Sequence, residues 1–282
     1  VCKEINDLKL KEKLCYSFKS IADEEFQSII SKDISETLDE EKIKLLLKND
    51  NIDVDFNDGN DNILSFVAKN NGSLDLLEEI LDNDKFNKNN KFASLALAKL
   101  IEQKPPDFEK IKLLMDSGIS ISKYVNELTN DEVNKGYNEV NLAIHHNSEN
   151  TDLIKKLLDY QIDTLNKEQL ETYLNPSDKD GHNTLQLLLN KYNAASEPEK
   201  TNIKQLILDF YNKVTTKFSD INLNEKQICK TTQMDKDLLN SICFKYFTTT
   251  PTPTTTTPKP TTTPIPPTTT YIFSYIKQYG KG

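Results

Sequence analysis

The sequence contains no tryptophan, and glycine is scarce, with only 7 among 282 residues. So few glycines argue against a glycine-rich nucleotide-binding enzyme and against a β-rich fold whose tight turns depend on that residue. Leucine, lysine and glutamate, which are abundant here, favour helices. Composition alone therefore predicts an all-α fold.

Long apolar runs are also missing. One of the longest, Leu95–Ile101, is far too short to span a bilayer, so membrane insertion is not expected. The charged start, Val1–Lys13, has no apolar region typical of a secretory signal. Because the sequence does not begin with methionine, we expect a mature form or an excised piece.

A surplus of positive charge is absent too. The formal net charge is −9, and lysines alternate with acidic residues throughout, without a segregated basic patch. Such a chain is repelled by phosphate backbones and anionic membrane surfaces. Nucleic acid is therefore excluded as an expected partner.

Catalytic motifs are equally absent: there is no G-x-G-x-x-G, P-loop, H-E-x-x-H or G-x-S-x-G. The acid-rich stretch Asn57–Asp61 lacks the ligand spacing of a calcium loop. We therefore expect a protein that is not an enzyme, with no cofactor, no metal and no small-molecule substrate.

The 4 cysteines form two pairs, Cys2 with Cys15 and Cys229 with Cys243, and neither spacing fits a zinc site. Two interpretations stay open. The leading one is thiols in a reducing compartment, and the other is two terminal disulfides in an oxidising one.

Leucine clusters recur along the chain, ending at Leu47, Leu81, Met115, Leu158 and Leu208. The first three ends are 34 residues apart each time, and the later gaps are 43 and 50. A constant interval indicates internal repeats. Each unit reads as a turn, a short helix with small residues on one face, a loop and a second helix ending in leucines.

The stretch Asp178–Leu189, "DKDGHNTLQLLL", shows how a unit begins. Gly181 allows a tight turn, and Asn183 or Thr184 can cap the helix that follows. Related turns precede Val67 and Ala68 in one unit and Ala143 in another, where small residues let helices pack closely. A third version, "NKFASLALAKLI", lacks the glycine.

This sequence pattern resembles the ankyrin repeat, whose units open with D-x-x-G-x-T-P-L-H and continue to L-L-x-x-G-A-D-I. The best matches are "DKDGHNTL", "LLMDSGISIS" and "LIKKLLDYQID", over about five degenerate units from Phe18 to Lys213. The chain departs from the family at the proline and histidine positions. The resemblance implies an α-solenoid, with other helical-repeat families as the alternative.

In such repeats the hairpin tips and the exposed ends of the first helices form a concave face that meets protein partners. Register places polar residues there from three units, with Tyr137, His145 and His146 as the expected centre. The predicted partner-binding residues are Asp58, Asp61, Lys69, Asn70, Asn134, Lys135, Tyr137, His145, His146, Lys179, Asp180, His182, Asn190 and Lys191.

The ends of the chain differ from the repeats, and from Thr248 to Thr270 it is almost wholly threonine and proline, typical of an extended spacer or an O-glycosylated stalk. The expected domains are an N-terminal capping helix (1–17), the ankyrin-like domain (18–213), a helical cap (214–247), a Thr/Pro-rich linker (248–270) and an aromatic tail (271–282).

The leading hypothesis for function is a protein–protein interaction module, and the repeats are of the kind found in secreted effectors of host-associated microbes. The alternatives are the recognition arm of a larger enzyme or toxin, and a surface protein on a glycosylated stalk. Secretion into a host cell, or an extracellular location, is favoured over the cytoplasm.

Overall fold

The computed structural model describes residues 21–31, 38–50, 52–121, 137–147, 149–175, 181–231 and 234–244. All of them lie in Val1–Tyr246, one of the two units into which the chain divides. The described residues are all-helical and include no β-strand, which confirms the predicted fold class at that level. One isolated antiparallel bridge pairs Asn57 with Asn62.

Thirteen helices are named here in chain order. They are α1 (described over 21–30), α2 (Glu40–Leu47), α3 (Ile63–Lys69), α4 (Leu74–Leu81), α5 (Lys91–Glu102), α6 (Phe108–Asp116), α7 (Glu139–His146), α8 (Thr151–Thr164), α9 (Lys167–Leu174), α10 (Thr184–Ala194), α11 (Glu199–Lys217), α12 (Glu225–Thr231) and α13 (Lys236–Leu238), which continues as a π-helix over Leu239–Cys243.

Six of the described helices begin in the same way, because an asparagine precedes each of them; two of these are α8 and α9, which follow Asn150 and Asn166. Its side-chain oxygen accepts a hydrogen bond of 2.8 to 3.0 Å from the backbone N–H three residues on. This satisfies one of the donors that a helix start leaves unpaired. The capping residues of α3, α5, α7 and α10 are Asn62, Asn90, Asn138 and Asn183, and the predicted cap at Asn183 is confirmed.

The turn before α10 has the backbone that its glycine predicts. Gly181 adopts φ +79°, in the left-handed region where a side chain is strained. Gly59, in the corresponding turn before α3, adopts φ +97°. The repeated phrase in the sequence therefore marks a repeated turn and cap in the structure.

Four of the asparagine-capped helices pack against one another in order, α3 on α5, α5 on α7 and α7 on α10. Each also packs against the helix that follows it in its unit, namely α4, α6, α8 and α11 respectively. These following helices contact each other as well, since α4 touches α6 and α8 touches α11. We call the first set the capped row and the second the flanking row.

In the first part of the chain, three hydrogen bonds join neighbouring units at nearly constant sequence separation. Ser73 N–H donates to Glu40 at 2.7 Å across 33 residues, and Gln103 Nε2 donates to the Ala68 carbonyl at 2.7 Å across 35. Asn87 N–H donates to Asp55 at 2.7 Å across 32. The interval between the leucine clusters is therefore also an interval between groups in contact.

The core lies between the two rows and is filled by the residues of the leucine clusters. Leu77, Leu97 and Leu157 are fully buried, as are the small residues Ala68 and Ala143. The widest gap between clusters holds an extra helix, α9, which buries Leu170 and Leu174. This insertion accounts for the length of the last gap, 50 residues from Leu158 to Leu208.

The segment after α11 is also helical, and it buries Leu238 and Ile242 while leaving Phe244 exposed. Cys229 and Cys243 form a disulfide. The leading interpretation of the cysteines as thiols is therefore wrong for this pair. Sequence spacing excluded a zinc site but did not show that α12 and the π-helix approach each other.

Several predicted features lie outside the described residues. These are the capping helix at 1–17, the turn glycine Gly136, the linker, the aromatic tail, and the pair Cys2 and Cys15. Among the described helices, none is both long and apolar enough to cross a bilayer.

Candidate functional site

Three predicted binding residues occupy the same position in three helices of the capped row. Lys69, His145 and Asn190 each lie seven residues after the capping asparagine of α3, α7 and α10. All three are exposed. We call Lys69, His145 and Asn190 the exposed row. The same position in α5, which packs between α3 and α7, is Leu97, and this side chain is buried.

The middle of the exposed row carries a cluster of rings. The His145 ring lies 5.7 Å from the Tyr137 ring and 4.9 Å from the His146 ring, between centroids. Tyr137 is only 4% exposed. The imidazole of His145 is therefore the ring that this cluster presents to solvent, and Tyr137 packs beneath it.

The ring cluster lies beside charged side chains of α5. His146 Nε2 lies 3.7 Å from Glu102 Oε1, and Lys99 Nζ lies 3.0 Å from Glu102 Oε2. Sequence reasoning missed Lys99 and Glu102, because the unit containing α5 has no turn glycine from which to extend the register. Their spacing on the last turn of a long capped helix was the available signal.

Near the start of α3, the predicted acidic residues have structural partners. Asp58 is exposed, and its carboxylate accepts hydrogen bonds from the N–H groups of Asn60 at 2.8 Å and Asp61 at 2.7 Å. Asp61 is buried and pairs with Lys69 Nζ at 3.2 Å. This ion pair connects the turn before α3 to the last residue of the helix, and it restrains the Lys69 side chain.

The remaining predicted residues are less closely grouped. Asn70 follows α3, and its Nδ2 donates to the Phe66 carbonyl at 2.8 Å. His182 precedes α10 and Lys191 lies in its last turn, and both are half-buried. Four predicted residues lie outside the described part of the chain: Asn134, Lys135, Lys179 and Asp180.

A buried carboxylate in the first turn of α7 joins this helix to two other segments. Glu139 is 1% exposed, and its carboxylate accepts from Ser120 Oγ, Ile121 N and Tyr173 Oη, each at 2.8 Å. Burial and the adjacent Glu139 carboxylate raise the pKa of Tyr173 well above its usual value. The phenol is thus held protonated as a donor.

A second buried contact joins α7 to α10. Thr184 Oγ1 donates to Asn141 Oδ1 at 2.8 Å, and both residues are fully buried. This contact is thus a buried side-chain hydrogen bond between two units.

An open groove runs beside the start of α6 and brings together four lysines. Lys110 donates to Asn71 Oδ1 at 2.9 Å, Lys104 pairs with Glu149 at 3.4 Å, and Lys156 pairs with Asp152 at 2.9 Å. The fourth, Lys69, already pairs with Asp61. Because each cation has an acceptor, the groove has no concentrated positive charge for an anion.

In the described ranges, no group of three or more histidine, cysteine, aspartate or glutamate side chains is arranged to hold a metal ion. Comparisons with protein-family models, curated proteins and solved structures found no significant match to this chain. Its own residues and contacts are accordingly the basis for the functional proposal.

Proposed function

We propose that the chain is a protein-binding module: a stack of degenerate ankyrin-like repeats that contacts a partner protein through the exposed row. The observation that carries the proposal is the shared register of Lys69, His145 and Asn190, seven residues after three capping asparagines. A common framework with differing exposed residues is typical of repeat proteins that bind partners.

Two features support the stack. The helices of the capped row contact one another in sequence order, and each contacts its flanking helix. Three hydrogen bonds between units in the first part of the chain span 32, 33 and 35 residues, close to the ankyrin interval, whereas the later Thr184–Asn141 bond spans 43. Contacts that are restricted to neighbouring units are the defining property of a solenoid.

The chemistry of the exposed row supports a protein partner. A cation, an imidazole and an amide offer hydrogen-bond donors of different geometry, and the Tyr137 ring beneath His145 reduces the rotational freedom that binding must restrict. The buried Asp61 carboxylate partly neutralises Lys69, so the row as a whole is polar with little net charge. This suits a polar protein surface better than a polyanion.

A second observation favours a location outside reducing compartments. The Cys229–Cys243 disulfide and the Thr/Pro-rich sequence from Thr248 to Thr270 are both typical of secreted or surface proteins. The proposed module therefore acts in an extracellular or similarly oxidising setting.

The test begins with capture of a partner by the immobilised full chain, followed by affinity measurement with the purified partner. The triple variant Lys69→Ala, His145→Ala, Asn190→Ala is expected to weaken binding at least about tenfold, equivalent to roughly 1.4 kcal/mol. The matched control replaces exposed residues of the paired flanking helices α4, α8 and α11: Glu78→Ala, Lys155→Ala, Asn202→Ala.

The control triple is expected to bind like the unchanged chain, and both triples should keep the helical circular dichroism of the parent. Equal loss of affinity in the two triples would contradict binding through the exposed row. Loss of affinity in the control triple alone would show that the partner binds the flanking row instead of the exposed row.

A further inference from the structure

A single N-x-S/T tripeptide with a permitted middle residue occurs in the sequence: Asn71, Gly72 and Ser73. It forms the turn between α3 and α4. Asn71 is exposed and adopts φ +57°. The acceptor residue for an N-linked glycan therefore sits at the tip of a surface turn.

Each residue of the tripeptide also has a structural use. A Cβ on Gly72 would lie 2.3 Å from Val67 Cγ1, so no larger residue fits without a shift. Ser73 Oγ accepts from Leu76 N–H at 3.2 Å and caps α4. Asn71 Oδ1 accepts from Lys110 Nζ at 2.9 Å.

None of these uses engages Asn71 Nδ2, the atom to which a glycan is attached. Within the described part of the chain, Nδ2 donates no hydrogen bond, and the residue is exposed. A substituent on this nitrogen can point to solvent while the Lys110 contact to Oδ1 is kept. The folded turn thus accommodates a modified Asn71 and keeps the hydrogen bond from Lys110.

An independent observation places the chain where that modification occurs. Cys229 and Cys243 form a disulfide, and structural disulfides form and persist in oxidising compartments such as the lumen of the endoplasmic reticulum. N-glycosylation of asparagine sequons takes place on chains that enter the same route. Threonine- and proline-rich sequence from Thr248 to Thr270 is typical of that route as well.

We propose that Asn71 carries an N-linked glycan. The anomeric carbon of a lipid-diphosphate-linked oligosaccharide forms a bond with Asn71 Nδ2, and its bond to the diphosphate oxygen breaks. The lipid diphosphate leaves with the electron pair of that bond, and the amide nitrogen loses one proton to a base of the transferring enzyme. No oxidation or reduction is involved.

The glycan has a consequence for the surface around it. Asn71 lines the groove together with Gln103 and Lys104, and it follows Lys69 by two residues. A glycan there covers the groove and borders the α3 end of the exposed row. The proposal does not depend on partner binding, because it rests on the sequon, the exposure of Asn71 and the disulfide.

The first test uses the full chain purified from the organism that makes it. Treatment with a peptide N-glycosidase, which removes N-linked but not threonine-linked sugars, is expected to remove the mass of one glycan. The enzyme converts the glycosylated asparagine to aspartate, so peptide mass spectrometry should find aspartate at position 71. An unmodified Asn71 in a chain whose Cys229–Cys243 disulfide is formed would overturn the proposal.

Two variants, expressed through a eukaryotic secretory route, separate glycosylation from folding of the turn. Asn71→Gly removes the acceptor, and glycine adopts φ +57° without strain, so no mass loss is expected on glycosidase treatment. Ser73→Thr keeps both the sequon and a capping hydroxyl, so the mass loss should remain. A mass loss that persists in Asn71→Gly, or vanishes in Ser73→Thr, would assign the sugar elsewhere and contradict the proposal.

Discussion

The Tyr173 hydroxyl donates a 2.8 Å hydrogen bond to Glu139 Oε2 and thereby joins α9 to the first turn of α7. The other carboxylate oxygen, Oε1, accepts from Ser120 Oγ and Ile121 N–H. The acid therefore connects three segments: α7, α9 and the stretch that contains Ser120 and Ile121.

Removal of this acceptor should cost more than removal of one of its donors. Glu139→Ala removes the carboxylate that accepts from Ser120 Oγ, from the buried Ile121 N–H and from Tyr173 Oη, so we expect a loss of about 3 kcal/mol in the free energy of unfolding. Tyr173→Phe removes one donor and should cost about 1 to 2 kcal/mol. Urea unfolding monitored by circular dichroism measures both, and equal small effects below about 0.5 kcal/mol would contradict this role for Glu139.

The segment after α11 should respond to acid through Asp235. Burial by itself raises the pKa of this carboxyl, but hydrogen bonds from Leu238 N–H, Tyr192 Oη and Lys204 Nζ outweigh it and lower the pKa to about 2. Because the folded pKa is below the ordinary 3.8, the stabilisation is fully present above about pH 4 and is lost as the pH falls through about 2.

Asp235→Asn is therefore expected to be less stable than the parent at neutral pH, and the difference should shrink between pH 4 and pH 2. Thermal unfolding of both proteins across that range gives the comparison. Other carboxyls with lowered pKa, such as Asp159, are present in both chains and cancel in the difference. A difference that does not change with pH would show that Asp235 acts only as a neutral helix cap.

The disulfide should stabilise the C-terminal helices. It closes a loop of 14 residues, for which chain entropy predicts a contribution of about 3 kcal/mol. We expect Cys229→Ala with Cys243→Ala to lower the unfolding free energy by about 2 to 4 kcal/mol and to increase hydrogen exchange first in α12 and the π-helix. Loss of protection first in α3 or α5 would contradict a local role.

Alanine substitutions at Gly181 and Gly72 should destabilise the fold for different physical reasons. Gly181 has φ +79°, and a Cβ there would meet no atom within 4 Å. Gly181→Ala should therefore lower the free energy of unfolding only through backbone strain, by about 1 kcal/mol. Gly72→Ala instead forces its methyl group against Val67 and should cost more, about 1 to 3 kcal/mol. Chemical denaturation measures both, and a larger cost at Gly181 would reverse this assignment.

Sequence predicted the helical class and the repeated turn because both depend on local chemistry. Gly181 and Asn183 act within their own turn, so the stretch that contains them was sufficient. The disulfide and the Glu139–Tyr173 pair depend on which helices meet across 14 and 34 residues, and no local pattern specifies that.

At the candidate site too, the sequence predicted what depends on local chemistry and did not predict contacts between distant helices. Register was sufficient to place His145 on an exposed position, since it follows from the cap at Asn138. Register did not show that Tyr137 is buried beneath His145, or that Glu102 reaches His146 from α5. Those relations come from packing between helices that are distant in sequence, which no local pattern specifies.

Site-specific photocrosslinking tests the central claim, partner binding through the exposed row, most directly. A photoreactive amino acid replaces Lys69, His145 or Asn190 in separate chains, and Glu78, Lys155 or Asn202 in the matched flanking-row controls. The account predicts covalent capture of one partner from His145 and Asn190 at least, and none from the three controls. Capture of that partner from the flanking positions, with none from the exposed row, would contradict it.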